Sequence, residues 1–243
     1  MARFSADPVP MTFTFEPPPT TAVPVHGSRD LFPVRHVYCV GRNYAEHAKE
    51  MGGDASKEPP FFFTKAADAV VPVVAPEIGR IRYPLGTSDL HHEIELVVAI
   101  GRAGVALDAA RALDIVYGYA TGLDMTRRDL QNAMREKKRP WDLGKSFAQA
   151  APIAPIHRAA DVGHLQRGAI RLAVNGTLRQ QGDLADMIWD VPHTLAFLSQ
   201  YYELMPGDLV FTGTPAGVGA VVPGDRLDGT IEALTPLSIE IVR

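Results

Sequence analysis

Two glutamates, Glu93 and Glu95, open the run Ile94-Glu-Leu-Val-Val-Ala-Ile100, which holds neither proline nor glycine. A β-branched and apolar run of this kind predicts a strand buried on both faces. Side chains alternate along a strand, so the two carboxylates point one way, about 7 Å apart at Cα, while Ile94, Leu96 and Val98 point the other. Leaving both ionised there without a partner costs several kcal/mol each, so a cation must lie with them or one must hold a proton. That cation can be an arginine, giving a structural pair at a strand end, or a hard divalent ion held by oxygens.

Asp124 follows a second buried run, Ile115-Val-Tyr-Gly-Tyr-Ala-Thr-Gly-Leu123, and precedes a predicted helix. With Glu93 and Glu95 it supplies a third carboxylate, which favours a metal site with open positions for water or substrate oxygens. The tetrad Thr126-Arg-Arg-Asp129 matches a capping box and predicts a helix from Thr126 to about Lys138, with Leu130, Ala133, Met134 and Lys137 on its core side. Arg128 and Gln131, three residues apart on it, then share the side of Asp124. His47 and Glu50 have the same spacing in the helix-like Ala45–Met51. They can form a base and its orienting carboxylate for activating water, or simply decorate a surface. His91 and His92 face opposite ways on a strand, so at most one of them lies near the site. The glycine-rich loop Gly213–Gly219 lacks a Gly-Lys-Ser/Thr ending and carries Pro215, which argues against nucleotide binding.

The elements that must position these groups are mostly short strands separated by proline and glycine turns, which predicts a β-rich α+β fold. Residues 1–33 hold seven of the twenty prolines, so residues 1–35 are expected to form an extended N-terminal arm and residues 36–243 the folded domain. Asn175-Gly176, between Ile170–Val174 and Thr177–Arg179, predicts a type I′ hairpin. A helix opened by Pro192 should run to Tyr202. Leu209–Thr212, Thr230–Leu234 and Leu237–Val242 read as closing strands.

A chain of 243 residues with 46% hydrophobic content can bury a large core. A formal charge of -4 leaves no footprint for nucleic acid or anionic membrane, so an anionic substrate must be drawn in by local basic groups. The single cysteine, Cys39, excludes an intrachain disulfide and a multi-cysteine zinc site and fits a reducing compartment. No apolar run approaches the ~18 residues of a membrane span. The expectation is a soluble cytoplasmic protein.

From about Val37 to Val242 the sequence resembles the fumarylacetoacetate hydrolase family. The resemblance rests on Gly41-Arg-Asn-Tyr-Ala-Glu-His47, His92-Glu-Ile-Glu95, Gly122-Leu-Asp-Met-Thr-Arg-Arg-Asp-Leu-Gln131, Gly144-Lys-Ser-Phe147, Val174-Asn-Gly176 and Phe211-Thr-Gly-Thr-Pro215. It implies a mixed β-sandwich roll of the fumarylacetoacetase catalytic-domain type, a Mg²⁺ or Mn²⁺ ion on Glu93, Glu95 and Asp124, and a homodimer. Carried over by motif, Arg128, Gln131 and Lys145 are similar to residues that hold substrate oxygens, and Thr214 to one beside the substrate carboxylate. His47 and Glu50 match a water-activating dyad on a lid helix. The longer members place a fourth acidic ligand where Arg42-Asn43 stands here, so the chain is similar to the three-carboxylate type.

Glu58–Lys65 and Arg139–Lys145 look most like the members that cleave fumarylpyruvate in gentisate breakdown. The resemblance therefore implies hydrolysis of a carbon-carbon bond in a 3-acylpyruvate, a small anionic 2-oxo acid, with His47 activating water and Lys145 offsetting enolate charge. Arg128 and other basic groups, Lys65 or Arg42 among them, are candidates to hold the far carboxylate. The rivals are an oxaloacetate decarboxylase or other 2-oxo acid lyase on the same site, and a non-catalytic metabolite-binding protein.

Overall fold

The strand Ile94–Ile100, buried at every position, forms the wall between two hydrophobic cores in the computed structural model, which describes residues 12–46 and 59–243. Its even-numbered residues Ile94, Leu96, Val98 and Ile100 belong to the larger core and Val97 and Ala99 to the smaller one. The alternation expected from the sequence is thus present, and it sends Glu93 and Glu95 away from the larger core.

Among the described residues this strand sits mid-way in an eight-stranded mixed sheet. One neighbour, Val116–Leu123, runs antiparallel to it, and so does the other, Leu209–Phe211. Beyond Leu209–Phe211 lie Val37–Gly41 and then Phe61–Lys65. A five-stranded sheet, in the order Thr177–Asp183, Ala169–Val174, Arg226–Ile231, Leu237–Val242 and Gly79–Arg82, shares the larger core through Leu172, Leu227 and Ile239. The helix Val191–Leu198 adds Leu195 and Leu198 to that core. This is the mixed, strand-rich α+β roll that the sequence predicts.

The hairpin forms as expected: Val174 pairs with Thr177, and Asn175 and Gly176 have φ of 51° and 76°, the two positive values a type I′ turn needs. Three expectations need correction. The helix after Asp124 spans Arg128–Glu136 and has no side-chain cap. Its buried residues are Arg128 and Gln131, whereas Leu130, Ala133 and Met134 are half-buried and Lys137 is exposed. The capping box fails because Thr126 is held in a strand pair with His91 and its hydroxyl accepts from Lys145 Nζ at 2.7 Å. The helix at Pro192 stops at Leu198, short of Tyr202.

The third correction concerns the proline-rich arm. Ala22–Pro24 and Leu31–Pro33 pair as an antiparallel ribbon, and Val23, Val25, Phe32 and Val34 are buried in the smaller core against Val97, Ala99 and Phe211. This part of the arm is packed, since each such side chain gains about 1.5–3 kcal/mol from burial. The helix expected at Ala45–Met51, with His47 and Glu50, lies largely outside the described residues; so does the start of Glu58–Lys65.

Candidate active site

Strand pairing assembles the acidic cluster. Ile94 is registered against Leu123 and Glu95 against Gly122, and the Asp124 N–H donates to the Glu93 carbonyl at 2.9 Å. Glu93 is the break between two strands: Leu90–His92, which pairs with Thr126–Arg127, and Ile94–Ile100, which pairs with Val116–Leu123. The two chain segments therefore keep one register through Glu93 and Asp124, which the Asp124–Glu93 backbone bond joins. One ligand oxygen from each of Glu93, Glu95 and Asp124 lies within 4.8 Å of the others, and exposure of the three residues is 4%, 1% and 0%.

Three cations serve this cluster. Lys145 Nζ donates to Glu93 Oε2 at 2.8 Å and to Asp124 Oδ2 at 2.7 Å. Burial alone would lower the Lys145 pKa, but the Asp124 and Glu93 charges outweigh it and the net shift is upward. Arg128 donates through Nη2 to Glu93 Oε1 and through Nη1 to Gln131 Oε1. Lys65 Nζ lies 2.7 Å from Asp124 Oδ1 and donates to the carbonyls of Met125 and Lys145.

Glu95 differs from its two neighbours. Its Oε2 accepts the Gly213 N–H at 2.7 Å, and no side-chain cation of the described residues is ion-paired to it. Burial, then the charges of Asp124 and Glu93, push its pKa well above the usual carboxylate range. Asp124 Oδ1 is fully buried and, despite the nearby Lys65, has no hydrogen bond of good geometry. A buried carboxylate short of positive charge, a second oxygen with a lone pair to offer, and an all-oxygen donor set fit a hard divalent cation. The alternative drawn from sequence, a carboxylate–arginine pair, is present at Glu93, and Lys65 and Lys145 pair with Asp124, but none of these accounts for Glu95.

Basic and polar groups complete the pocket, which is lined among others by Arg42, Phe63, Gln131, Trp141, Lys145 and Thr214. Lys145 ends the short helix Asp142–Lys145, which packs close to the helix Arg128–Glu136 only because residue 144 is glycine. A Cβ there would lie 2.8 Å from the Gln131 nitrogen and Cβ. Gly213, at φ 95°, likewise turns the backbone so that its N–H meets Glu95, and a Cβ there would sit 2.7 Å from that of Asn43. The Thr214 hydroxyl donates to the Ile94 carbonyl at 2.7 Å and accepts from Gln180 at 2.8 Å. Its proton is therefore committed away from the pocket.

The structure thus gathers Glu93, Glu95, Asp124, Arg128, Gln131, Lys145 and Thr214, while His47 and Glu50 lie outside the described residues. Lys65 is buried behind Asp124 and is not placed to hold a distant carboxylate. Behind Arg128 stands a chain that spacing did not suggest: its Nε contacts His91 Nδ1 at 3.4 Å, and His91 Nε2 meets Asp89 Oδ1 at 2.9 Å. Burial and the Arg128 charge lower the His91 pKa, so the ring is neutral and can accept from arginine while donating to aspartate. His92 points elsewhere, to Gln180, as the alternation of the strand requires.

Residues 36–242 match the family model of the fumarylacetoacetate hydrolase C-terminal region. The chain belongs to the fumarylacetoacetate hydrolase family. A fumarylpyruvate hydrolase from Ralstonia sp. is 44% identical over 188 residues, 77% of this chain and 95% of that protein. The mitochondrial oxaloacetate tautomerase FAHD1 of Rattus norvegicus is 38% identical over 209 residues, 86% of this chain and 92% of that protein. Among solved structures, fumarylpyruvate hydrolase from Pseudomonas aeruginosa in complex with Mn²⁺ and pyruvate superposes with a TM-score of 0.94 at 53% identity, covering 95% of this chain and 99% of that one. This member of the family is accordingly a hydrolase acting on carbon-carbon bonds. No helix among its described residues is long and apolar enough to cross a membrane.

Proposed function

We infer that the protein hydrolyses a 3-acylpyruvate with the help of a divalent metal ion, and that its substrate is fumarylpyruvate, released as fumarate and pyruvate. The observation that carries this is the buried Glu93, Glu95 and Asp124 cluster opening onto a pocket lined by Arg128, Gln131 and Lys145. The likeness to a structure holding Mn²⁺ and pyruvate supports it. Glu93, Glu95 and Asp124 would hold Mn²⁺ or Mg²⁺, which as a Lewis acid polarises the oxygens of a 2-oxo acid.

The protein's own groups do the rest. Arg128 and Gln131 present a planar guanidinium and a carboxamide from one helix face, suited to a carboxylate. His91 and Asp89 fix the plane of that guanidinium from behind. Water attacks the acyl carbonyl with its proton passing to His47, which Glu50 orients; this dyad is assigned from sequence. The carbon-carbon electron pair then passes to C3 of the pyruvate half and is shared with its ketone oxygen as an enolate, and the acyl half leaves as a carboxylic acid. The Lys145 ammonium, already held in the site, offsets the enolate charge, a contribution typically worth about 2.7–4 kcal/mol. Protonation at C3 completes pyruvate.

A second reading has a specific motive, the relatives named oxaloacetate tautomerase and oxaloacetate decarboxylase. Enolate chemistry is common to all three reactions. Rates on fumarylpyruvate, acetylpyruvate and oxaloacetate, measured side by side with Mn²⁺, with Mg²⁺ and with chelator, separate them. Fumarylpyruvate is expected to give the highest kcat/KM and chelator to abolish it; preference for oxaloacetate would replace the hydrolase reading. We further infer a cytoplasmic homodimer, which light scattering at twice the 26.4 kDa chain mass would support.

A further inference from the structure

Gln180 is the one buried residue of the strand Thr177–Asp183, the outer strand of the hairpin on the five-stranded sheet. Its carboxamide uses every bond it has. Oε1 accepts from the Ile94 N–H at 3.2 Å and from His92 Nδ1 at 2.8 Å. Nε2 donates to Thr214 Oγ1 and to the Pro215 carbonyl, both at 2.8 Å. The orientation is not arbitrary, because an amide N–H can only donate and a carbonyl can only accept. His92 must then be the Nδ1–H tautomer.

The partners divide by function. Those on the oxygen, His92 and Ile94, are the two residues flanking Glu93. Those on the nitrogen, Thr214 and Pro215, belong to the loop that contributes Gly213 and Thr214 to the pocket lining. The loop rests directly on this strand: a Cβ at Gly217 would lie 2.0 Å from the Arg179 carbonyl, and one at Gly182 would lie 2.9 Å from Pro215 Cβ. A side chain from another sheet therefore braces, beside the direct bond from Thr214 to the Ile94 carbonyl, the spacing between an acidic ligand and this loop of the pocket lining.

We propose that Gln180 is a positioning residue that fixes Glu93 and Thr214 relative to one another and so couples ion binding to the seating of the 2-oxo acid. What Glu93 and Thr214 do rests on the functional reading above. Outer-shell groups of this kind typically change metal affinity or activity by 10–100-fold.

The test uses Gln180→Leu, which removes both halves of the carboxamide, and Gln180→Glu, which keeps an acceptor for His92 and Ile94 but loses the donated pair. Calorimetry would give the Kd of Mn²⁺ for each full-length variant and, with Mn²⁺ saturating, the Kd of pyruvate, alongside kcat, KM and thermal midpoints. For Gln180→Leu, about a tenfold rise in both Kd values is expected. For Gln180→Glu, the Mn²⁺ Kd should stay within about threefold while the pyruvate Kd and KM rise about tenfold. That split alone decides the matter if the leucine variant does not fold. Unchanged Kd values in Gln180→Leu, or equal losses of Mn²⁺ and pyruvate binding in Gln180→Glu, would overturn the proposal. If the wild type turns over no acylpyruvate, the functional reading fails, and the two binding constants still judge Gln180.

Discussion

The backbone N–H of Asp124 donates to the carbonyl of Glu93 at 2.9 Å, so two of the acidic side chains of the site are tied together by the same ladder that builds the central sheet. Their separation is fixed by strand register and not by a flexible loop.

Lys145 is expected to be needed for chemistry more than for holding the ion. In Lys145→Met the Glu93 and Asp124 carboxylates lose their shared ammonium, which should destabilise the fold by about 3–5 kcal/mol. Added Mn²⁺ should restore the thermal midpoint but leave kcat reduced by at least about 100-fold. Full recovery of kcat with Mn²⁺ would show that Lys145 merely balances charge.

Glu95 should impose a pH dependence on stability when chelator is present. Burial, with Asp124 and Glu93, raises its pKa in the folded protein above the unfolded value. The folded state therefore binds the proton more tightly, and its contribution to stability is full below the unfolded pKa of about 4.3 and is lost as pH rises through the folded pKa. Denaturant titrations of Glu95→Gln should lose this falling limb. The same variant should bind Mn²⁺ more weakly by over about 100-fold, since a ligand and not an outer-shell partner is gone. An unchanged Mn²⁺ Kd would remove Glu95 from the ligand set.

Gly144→Ala tests the close approach of two helices. The added methyl meets Gln131 backbone at 2.8 Å, and overpacking of this kind costs about 1–3 kcal/mol. Because Lys145 and Gln131 are the residues pushed apart, kcat/KM should fall further than stability alone explains. Wild-type kinetics in Gly144→Ala would mean that the contact is not tight.

Phe32→Ala addresses the N-terminal ribbon. Phe32 is 7% exposed and packs in the smaller core, so its loss should cost about 3–5 kcal/mol. The Mn²⁺ affinity at 25 °C should be kept, since the ribbon does not line the pocket. A thermal midpoint equal to wild type would show that the ribbon is dispensable.

Local rules carried the hairpin and the central strand, because Asn175-Gly176 and the period of two at Ile94–Ile100 need no distant partner to act. They failed at Thr126, where the capping hydroxyl is taken by Lys145 from nineteen positions along the chain. The proline-rich stretch misled for a related reason. Pro24 and Pro33 end short strands of a two-stranded ribbon, where a missing N–H costs little, and the buried Val23 and Phe32, each just before one of them, carried the better signal. Glu93, Glu95 and Asp124 were legible because their type and strand-end placement already demand a counter-charge. Gln180 was not, since nothing in Thr177–Asp183 distinguishes it from the adjacent Gln181, which is exposed.

One register runs from Ile94 and Leu123 through Glu93 and Asp124 to His91 and Thr126, so two of the acidic groups leave from opposite positions of an unbroken seam. A slip of one residue along that seam would turn the carboxylates of the slipped strand to the opposite face, so the pairing that builds the sheet also decides whether the acidic groups meet.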